Sequence, residues 1–369
     1  MFDRNTPYND LPLLNVDADI DNNVDILKKL VSASRALALV DGNLNRLPNP
    51  LMLVNTILLQ EAKTSTEIEN IFTTEDELFK AISDTNSEEN VNPATKEVLK
   101  YREALWAGYA SLNDAHEINE DLIINIFNQI KETNTGYRPA QARIVIKRGQ
   151  SDLRPGEIVY TPPRDEKKIA ELMANLIEFL NDEKKYPIDP LIKMCIAHYQ
   201  FEAIHPFQDG NGRTGRILNL LYLVQKGLLS QPILYISKYI IMNKEDYYYN
   251  LGAVTQRNDW QQWIMFMLDA IENTSKNTNG KINDIIDQME ATLLYAKGKI
   301  KWYSKELNEL LFSQPYIKPK IIGDLIGKTS RTTLTKYMNE LVDARILRSK
   351  KIGTEVYYIN DDLLRIIED

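Results

Sequence analysis

Cysteine is almost absent from this chain of 369 residues, since Cys195 is the only one. A single cysteine excludes an internal disulfide framework and a zinc site built on several thiolates. No apolar run approaches the roughly 20 residues that span a bilayer, and the N-terminal residues show no basic start followed by an apolar stretch. These absences lead us to expect a cytoplasmic protein without a membrane segment.

An excess of positive charge is also absent. The chain has 44 Lys and Arg against 52 Asp and Glu, a net charge of −8, which argues against a nucleic-acid binder over its whole length. The charge is uneven, however, because residues 315–352 hold nine Lys and Arg against three Asp and Glu. The length allows two or three domains, and the 43% hydrophobic content is typical of globular proteins.

Apolar residues recur at helical spacing along most of the chain, which predicts a mainly α structure. Residues 142–163 differ, because two β-branched runs flank a Gly-, Asp- and Pro-rich turn, the pattern of a β-hairpin with a long loop. Residues 49–72 are predicted to form a helix, a polar break near Thr64–Thr66 and a second short helix. The polar stretch at 273–281 is predicted to be a linker.

The segment 321–359 has a pattern of its own. It predicts a helix, a turn, a second helix from Ser330 and a two-strand wing about Gly353. This order resembles a winged helix-turn-helix, with 331–344 as the recognition helix. The basic charge favours DNA as the partner, but an acidic protein surface fits the same charge, and both stay open.

The stretch HPFQDGNGRTGR, residues 205–216, concentrates a histidine, a carboxylate, three glycines and two arginines. Part of it spells the G-x-G-x-x-G pattern of dinucleotide-binding folds, which should follow a strand and precede an acidic residue by about 20 positions. Residues 191–199 instead have helical spacing, and residues 227–244 contain no Asp or Glu. The dinucleotide interpretation therefore fails on both conditions.

A phosphate-binding loop explains the same residues. Glycines 210 and 212 allow successive N–H groups to converge on an anion at the start of a helix. Arg213 and Arg216 lie three residues apart and can both grip phosphate oxygens. Asp209 offers a hard oxygen for Mg²⁺, and His205, with an ordinary pKa of about 6.5, suits proton removal from a hydroxyl.

The same stretch matches every fixed position of H-x-F-x-[DE]-G-N-G-R-x-x-R, and in this the chain resembles the Fic-domain proteins. The resemblance covers about residues 95–270. It implies a compact Fic-type helical bundle with a β-hairpin flap over the loop. It also implies transfer of AMP from ATP to a Ser, Thr or Tyr hydroxyl of a protein, with Mg²⁺ (or Mn²⁺) as the metal and pyrophosphate as the leaving group.

The roles that the resemblance implies fall on matching positions of this chain. His205 would be the general base and Asp209 the metal ligand. Arg213 and Arg216 would clamp the outer phosphates, and Asn211 together with the backbone of residues 210–213 would line the α-phosphate. The residues implied to contact ATP are Glu69, Ile146, Lys147, Asp209, Gly210, Asn211, Gly212, Arg213, Thr214, Gly215, Arg216, Tyr247 and Tyr248.

The predicted hairpin would act as the flap. Its residues 143–148 would hold a segment of the target protein by strand addition, and Ile146 and Lys147 would touch the nucleotide. Tyr247 and Tyr248 would flank the adenine or the ribose, although packing in the core or on the surface explains the same two tyrosines.

Some members of the family carry an inhibitory helix with the pattern [ST]-x-x-x-E-[GN]. STEIEN, at residues 65–70, fits it through Ser65, Glu69 and Asn70 and lies N-terminal to the catalytic region. The resemblance therefore implies that Glu69 pairs with Arg216 and occupies the position of the γ-phosphate.

We expect an N-terminal helical region with the inhibitory helix (1–115), a Fic catalytic core (116–275), and a linker helix with a winged-helix domain (276–369). The expected function is AMP transfer that is autoinhibited by Glu69. Transfer of UMP or phosphate, removal of AMP with Glu69 orienting a water, and a DNA-binding regulator with a nucleotide-sensing core stay open, as does a homodimer.

Overall fold

A computed structural model of the protein describes residues 2–15, 23–47, 50–83, 91–148, 156–327, 330–352 and 355–368. Its helices are α1 Val24–Leu44, α2 Pro50–Ile68, α3 Glu75–Ser83, α4 Pro93–Ala115, α5 Glu120–Lys131, α6 Glu166–Asn181, α7 Pro190–Ile204, α8 Asn211–Gln225, α9 Ile236–Met242, α10 Lys244–Arg257, α11 Trp260–Lys299, α12 Lys305–Leu311, α13 Pro319–Ile326, α14 Arg331–Asp343 and α15 Asp361–Glu368. Its strands are β1 Ile146–Arg148, β2 Glu157–Tyr160, β3 Tyr316–Ile317, β4 Arg348–Ile352 and β5 Glu355–Ile359. None of the helices in these ranges is both long and apolar enough to cross a membrane.

Helix α7 is the central helix of the molecule. Asp189 caps it by accepting a hydrogen bond from the N–H of Leu191 at 2.8 Å, and Pro190 occupies the first turn, where its missing N–H costs nothing. Helices α6, α8 and α11 pack around it. Because side chains on all of its faces are buried, its sequence has no polar stripe of the kind that marks a surface helix.

Helix α2 runs without interruption from Pro50 to Ile68, so the predicted break near Thr64–Thr66 is wrong. The hydroxyl of Thr66 donates to the carbonyl of Ala62 at 2.7 Å, and the hydroxyl of Thr64 lies 2.6 Å from that of Tyr235. These partners satisfy the polar groups inside the helix. Helix α2, which packs on α4, α8 and α9, therefore carries polar residues into the interior.

The linker predicted at 273–281 is also wrong, because these residues lie inside α11, a helix of 40 residues. Thr274, Ser275 and Thr278 are buried, and the hydroxyl of Thr274 donates to the carbonyl of Ala270 at 2.6 Å. Helix α1 packs along α11. The small hydroxyl side chains thus form a packed face of the helix, although the composition of residues 273–281 is typical of an exposed linker.

The predicted flap is present as an antiparallel hairpin of β1 and β2, in which Lys147 pairs with Ile158. Its turn, residues 149–155, lies outside the described residues. The hydroxyl of Tyr160 donates to the carbonyl of Ala203 at 2.8 Å. This bond fixes β2 to the last turn of α7.

The C-terminal part contains α13, α14 and a sheet with the strand order β3-β5-β4. The two helices and the paired strands β4 and β5 occur in the order predicted for 321–359, and the predicted wing tip at Gly353 lies outside the described residues. The C-terminal part is joined to the N-terminal region through Asp76 on α3. The Asp76 carboxylate accepts a hydrogen bond from the Tyr316 hydroxyl at 2.6 Å and lies 3.1 Å from Nζ of Lys350.

Candidate active site

His205 lies where α7 ends and the glycine-rich loop begins. Its φ of 51° is in the left-handed region, which turns the chain out of the helix. Arg138 braces this turn: its Nε donates to the carbonyl of His205 at 2.7 Å, and its N–H donates to the carbonyl of Pro206 at 2.8 Å. Because Arg138 is itself buried, the backbone of His205 is fixed from the interior.

The interior of the loop is braced by Asn211. Its Oδ1 accepts a hydrogen bond from the N–H of Phe207 at 2.8 Å, and its Nδ2 donates to the carbonyl of the same residue at 2.9 Å. Phe207 is buried and stacks on Phe127 with 3.9 Å between the ring centroids. The side chain of Asn211 therefore shapes the loop, and its contribution to an anion site is its backbone N–H in the first turn of α8.

Helix α8 begins directly at the end of the loop. Gly210 caps it with a φ of 76°, and the hydroxyl and N–H of Thr214 both donate to the carbonyl of Gly210 at 3.0 Å. The N–H groups of residues 211–213 have no partner within the helix, and they form the positive end of its dipole. We call these three N–H groups the cradle, since together they can bind an anion.

Two glycines of α8 leave room for carboxylates. A Cβ atom at Gly212 would overlap Oε1 of Glu69, and one at Gly215 would lie 2.8 Å from Oε1 of Glu202. A larger residue at either position would therefore displace the carboxylate that lies against the backbone there.

Arg216 is buried and held by the end of α2. Its Nε donates to the hydroxyl of Ser65 at 2.7 Å, and one Nη donates to the carbonyl of Ser65 and to Oε1 of Glu69, both at 2.8 Å. Burial alone would lower the pKa of Arg216, but the carboxylate of Glu69 raises it above its ordinary value. The structure thus brings together Ser65, Glu69 and Arg216.

Glu69 belongs to the turn that closes α2. Asn70 has a φ of 64°, and the N–H of Ile71 donates to the carbonyl of Thr66 at 3.2 Å. Nζ of Lys244 donates to the carbonyl of Ile68 at 2.7 Å. The backbone of Glu69 is therefore fixed on both sides, while its side chain is 34% exposed and can be reached from solvent.

Arg213 has a different partner from Arg216. It is 1% exposed, it pairs with Glu97 on α4, and its Nη2 lies 3.9 Å from Oδ2 of Asp209. The active loop therefore contains two buried arginines, each held by its own carboxylate from the N-terminal region.

Asp209 is exposed at the entrance of the loop. Its Oδ1 accepts a hydrogen bond from the N–H of Gly210 at 2.7 Å, and its Oδ2 accepts one from Nζ of Lys131 at 2.6 Å. Partial burial would raise the pKa of Asp209, but these donors lower it below its ordinary value. No cluster of three or more His, Cys, Asp and Glu suited to a metal occurs in the described ranges, so a metal at Asp209 would need ligands from a nucleotide and water.

The imidazole of His205 is neutral at pH 7. Burial lowers its pKa to about 4, and the nearby guanidinium of Arg138 acts in the same direction. The lone pair that a general base requires is therefore available.

The two predicted tyrosines occupy different environments. Tyr247 is 2% exposed, and its hydroxyl lies 2.9 Å from Nε2 of the buried His198, which makes it a core residue. Tyr248 is 43% exposed and packs edge-on against Tyr247, so a nucleotide can reach it. Ile146 and Lys147 lie on β1, and among the described residues no hydrogen bond or ion pair joins them to the loop.

The sequence pattern did not point to Glu97, Lys131, Arg138 or Glu202, which the structure brings near the loop. Glu202 lies one turn before His205, and burial raises its pKa to about 7. The one sequence signal that Glu202 lies near the site is its position three residues before His205, which is one helical turn. Glu97 and Lys131 stand on other helices in patterns typical of ordinary surface charges, and only the fold brings them to the loop.

Comparison with known families agrees with this geometry. Residues 27–110 match the Fic/DOC family N-terminal region, and residues 109–223 match the Fic/DOC family itself. Residues 287–363 match the C-terminal domain of the SoFic-like protein adenylyltransferases. The chain belongs to the Fic family.

Curated relatives of this Fic protein carry the name protein adenylyltransferase. A probable protein adenylyltransferase of Aquifex aeolicus is 31% identical over 188 residues, which covers 49% of this chain and 54% of that protein. Protein adenylyltransferase fic-1 of Caenorhabditis elegans is 41% identical over 68 residues, or 18% of this chain and 13% of that protein. The chain thus spans about half the length of the first of these relatives and a smaller share of the second.

Solved structures with the same fold include two Fic proteins. A Fic family protein from Desulfovibrio desulfuricans has a TM-score of 0.57 at 22% identity, with 91% of this chain and 96% of that chain covered. Fic-1 from C. elegans has a TM-score of 0.51 at 21% identity, with 70% and 74% covered. At these identities the similarity concerns the fold, and it confirms the predicted Fic-type helical bundle.

Proposed function

We propose that this protein transfers AMP from ATP to a hydroxyl group of a target protein. The observation that carries the proposal is the cradle at the start of α8, with the neutral imidazole of His205 before it and the guanidinium of Arg216 one turn after it. In this proposal a base, an anion site and a phosphate-binding cation follow one another along the chain. The names of the curated relatives support the same activity.

The chemistry follows from these positions. A Ser, Thr or Tyr hydroxyl gives its proton to His205 while its oxygen attacks the α-phosphorus of ATP. The bond from that phosphorus to the oxygen bridging the α- and β-phosphates breaks, and pyrophosphate leaves. The cradle stabilises the charge on the α-phosphate during this in-line displacement. Bound phosphates also raise the pKa of His205, which makes it a stronger base in the complex.

Glu69 is proposed to hold the protein in an inhibited state. Its carboxylate lies over Gly212 and is hydrogen-bonded to Arg216 at 2.8 Å. A γ-phosphate is also an anion that guanidinium binds through paired hydrogen bonds, so Glu69 and the γ-phosphate compete for Arg216. While Glu69 occupies Arg216, ATP cannot align its α-phosphate in the cradle for in-line attack.

The metal proposed is Mg²⁺ or Mn²⁺ at Asp209. The residues fit such an ion, because the Asp209 carboxylate is exposed, is a hard donor and already attracts the cation of Lys131 to Oδ2. When bound, the ion would neutralise charge on the nucleotide phosphates. Asp209 is expected to hold it together with phosphate oxygens and water.

The flap is proposed to hold the target. In the described sheet β1 pairs with β2 along one edge only, which leaves its other edge for an extended segment of the target protein. Main-chain pairing of this kind would present a hydroxyl to His205 with little dependence on the target's sequence.

Labelled nucleotides distinguish AMP transfer from the alternatives. We expect the Glu69→Gly variant to label protein from ATP that carries its label in the α-phosphate, and not from ATP labelled in the γ-phosphate. Labelling from γ-labelled ATP, or preference for labelled UTP, would replace AMP by phosphate or UMP as the transferred group. The control is the double variant that combines Glu69→Gly with His205→Ala. Its rate of protein labelling should be roughly 10²–10⁴-fold lower than that of Glu69→Gly alone.

A further inference from the structure

The guanidinium of Arg213 does not share the environment of Arg216. Arg216 lies beside Glu69, whose side chain solvent can reach. Arg213 is 1% exposed, and its Nη1 is bound to Glu97, which comes from a different helix, α4. Its Nη2 lies 3.9 Å from Oδ2 of Asp209 and would lie 3.8 Å from a Cβ at Gly210. The side chain therefore points back under the entrance of the loop.

The charges around Arg213 form an alternating series. Glu97 binds Arg213, Arg213 faces Asp209, and Asp209 binds Lys131 at 2.6 Å. The Nε of Arg213 is buried without a hydrogen-bond partner, and within the described ranges the ion pairs of Arg213 are those with Glu97 and Asp209. Because a buried guanidinium is unfavourable without a carboxylate partner, Glu97 determines where Arg213 can lie.

We propose that Glu97 is a positioning residue that holds Arg213 beneath the loop, where Arg213 fixes Asp209 for the divalent cation instead of gripping the outer phosphates of ATP. Arg216 is then the arginine that grips these phosphates. This inference rests on the proposed function, in that ATP with a divalent cation is the ligand of the loop. It departs from the double clamp by Arg213 and Arg216 that the sequence analysis predicted.

The test separates nucleotide binding from cation binding in the full chain. All variants carry Glu69→Gly, so that Arg216 is free, and ATP affinity is measured by calorimetry in EDTA. We expect the affinity of Glu97→Gln for ATP without metal to stay within about twofold of the parent, whereas Arg216→Lys binds ATP much more weakly.

The second measurement is the Mg²⁺ dependence of AMP transfer. Glu97→Gln should need at least about 10-fold more Mg²⁺ for half-maximal rate, the usual effect of losing a partner behind a metal ligand. At saturating Mg²⁺, KM for ATP should match the parent and kcat should be lower.

Two further variants keep the test decisive. Glu103→Gln makes the same change at an exposed position of α4 and should leave both titrations unchanged. If Glu97→Gln does not fold, Glu97→Asp retains the charge with a shorter reach and should shift the Mg²⁺ titration in the same direction.

The outcomes are distinct. If Glu97→Gln weakens ATP binding in EDTA as much as Arg216→Lys does, Arg213 is a phosphate ligand and the inference is wrong. An unchanged Mg²⁺ titration in the Glu97 variants would overturn it as well. If the Glu69→Gly parent itself binds no ATP, the proposed function fails, and the inference fails with it.

Discussion

Burial and the guanidinium of Arg138 disfavour the protonated form of the His205 imidazole. Burial is the largest effect on its pKa and Arg138 the next, whereas Glu69 and Asp209 act in the other direction. The net pKa of about 4 lies below the ordinary value of about 6.5. The unfolded chain therefore binds more protons between these two pH values, and this contribution to stability is complete above pH 6.5 and decreases as the pH falls toward 4.

This environment predicts the titration of His205 in the absence of nucleotide. We expect its Cε1 proton signal in NMR to stay at the neutral position from pH 8 down to about pH 5, because the protonated form is desolvated and lies near Arg138. The His205→Ala variant assigns the signal. A midpoint near pH 6.5 would contradict the surroundings described for this residue.

The residues of the loop could be predicted because they are contiguous. The order of the residues in 205–216, a histidine, a carboxylate, glycines and arginines, is enough to predict a phosphate-binding site. Glu97 and Lys131 could not be predicted, since their role depends on which helices pack beside the loop. Asn211 is predicted to line the α-phosphate because a sequence pattern does not distinguish a residue that shapes a loop from one that touches a ligand.

At the scale of elements, α14 offers one exposed face. On its other face Trp302 packs on Tyr337 with 4.2 Å between the ring centroids, and the indole N–H donates to Glu340 at 2.5 Å. The side chain of Lys336 is 74% exposed, and its Nζ lies 3.9 Å from Oε1 of Glu340. The exposed face can therefore meet a DNA groove or an acidic surface without loss of the packing behind it.

If this face binds DNA, affinity should fall steeply between about 50 and 200 mM salt, because each phosphate contact releases counterions. Lys336→Glu should weaken the binding and reduce the salt slope, as measured by fluorescence anisotropy with duplex DNA. Lys167→Glu, a charge reversal on the exposed side of α6, is the matched control and should change neither. Absence of binding at about 50 mM salt would favour a protein partner.

The errors in the element prediction share one cause. The break near Thr64–Thr66 and the linker at 273–281 were predicted from polar composition, but the structure buries these hydroxyl residues inside α2 and α11. A hydroxyl that donates to the carbonyl four residues earlier is satisfied within the helix, as for Thr66 and Ala62. Polarity alone therefore does not mark the end of a helix when tertiary packing covers it.

At the scale of the whole molecule, the C-terminal part is joined to α3, the helix that follows the turn at Glu69. Asp76 on α3 binds both Tyr316 and Lys350. Tyr316→Phe removes a hydrogen bond to a charged group, which should cost about 1–2 kcal/mol because the site is partly exposed. We expect faster hydrogen exchange at residues 75–83 in this variant.

Tyr295→Phe is the control for that prediction. It removes a hydrogen bond to the carbonyl of Ala344 within the C-terminal half of the chain, and exchange at residues 75–83 should not change. Equal exchange of α3 in Tyr316→Phe and in the unchanged protein would show that Asp76 does not hold the two parts together.

The contact between Glu69 and Arg216 also joins two parts of the molecule, because Glu69 lies in the match to the Fic/DOC N-terminal region and Arg216 in the match to the Fic/DOC family. Without Glu69, Arg216 keeps its two hydrogen bonds to Ser65 but loses its carboxylate partner. We therefore expect Glu69→Gly to lower the melting temperature slightly, since a buried charge is left less well paired. Mg-ATP should restore it, because a ligand that binds only the folded state stabilises that state.

The most direct test of autoinhibited AMP transfer is the initial rate of protein labelling from α-labelled ATP and Mg²⁺, compared between the unchanged protein and Glu69→Gly. Glu67→Gly is the matched control, because Glu67 lies in the last turn of α2 and faces Lys63 instead of Arg216. We predict that Glu69→Gly raises the rate by about 10-fold or more, within the range usual for coupled sites, and that Glu67→Gly does not. Equal rates in the unchanged protein and in Glu69→Gly would contradict the account.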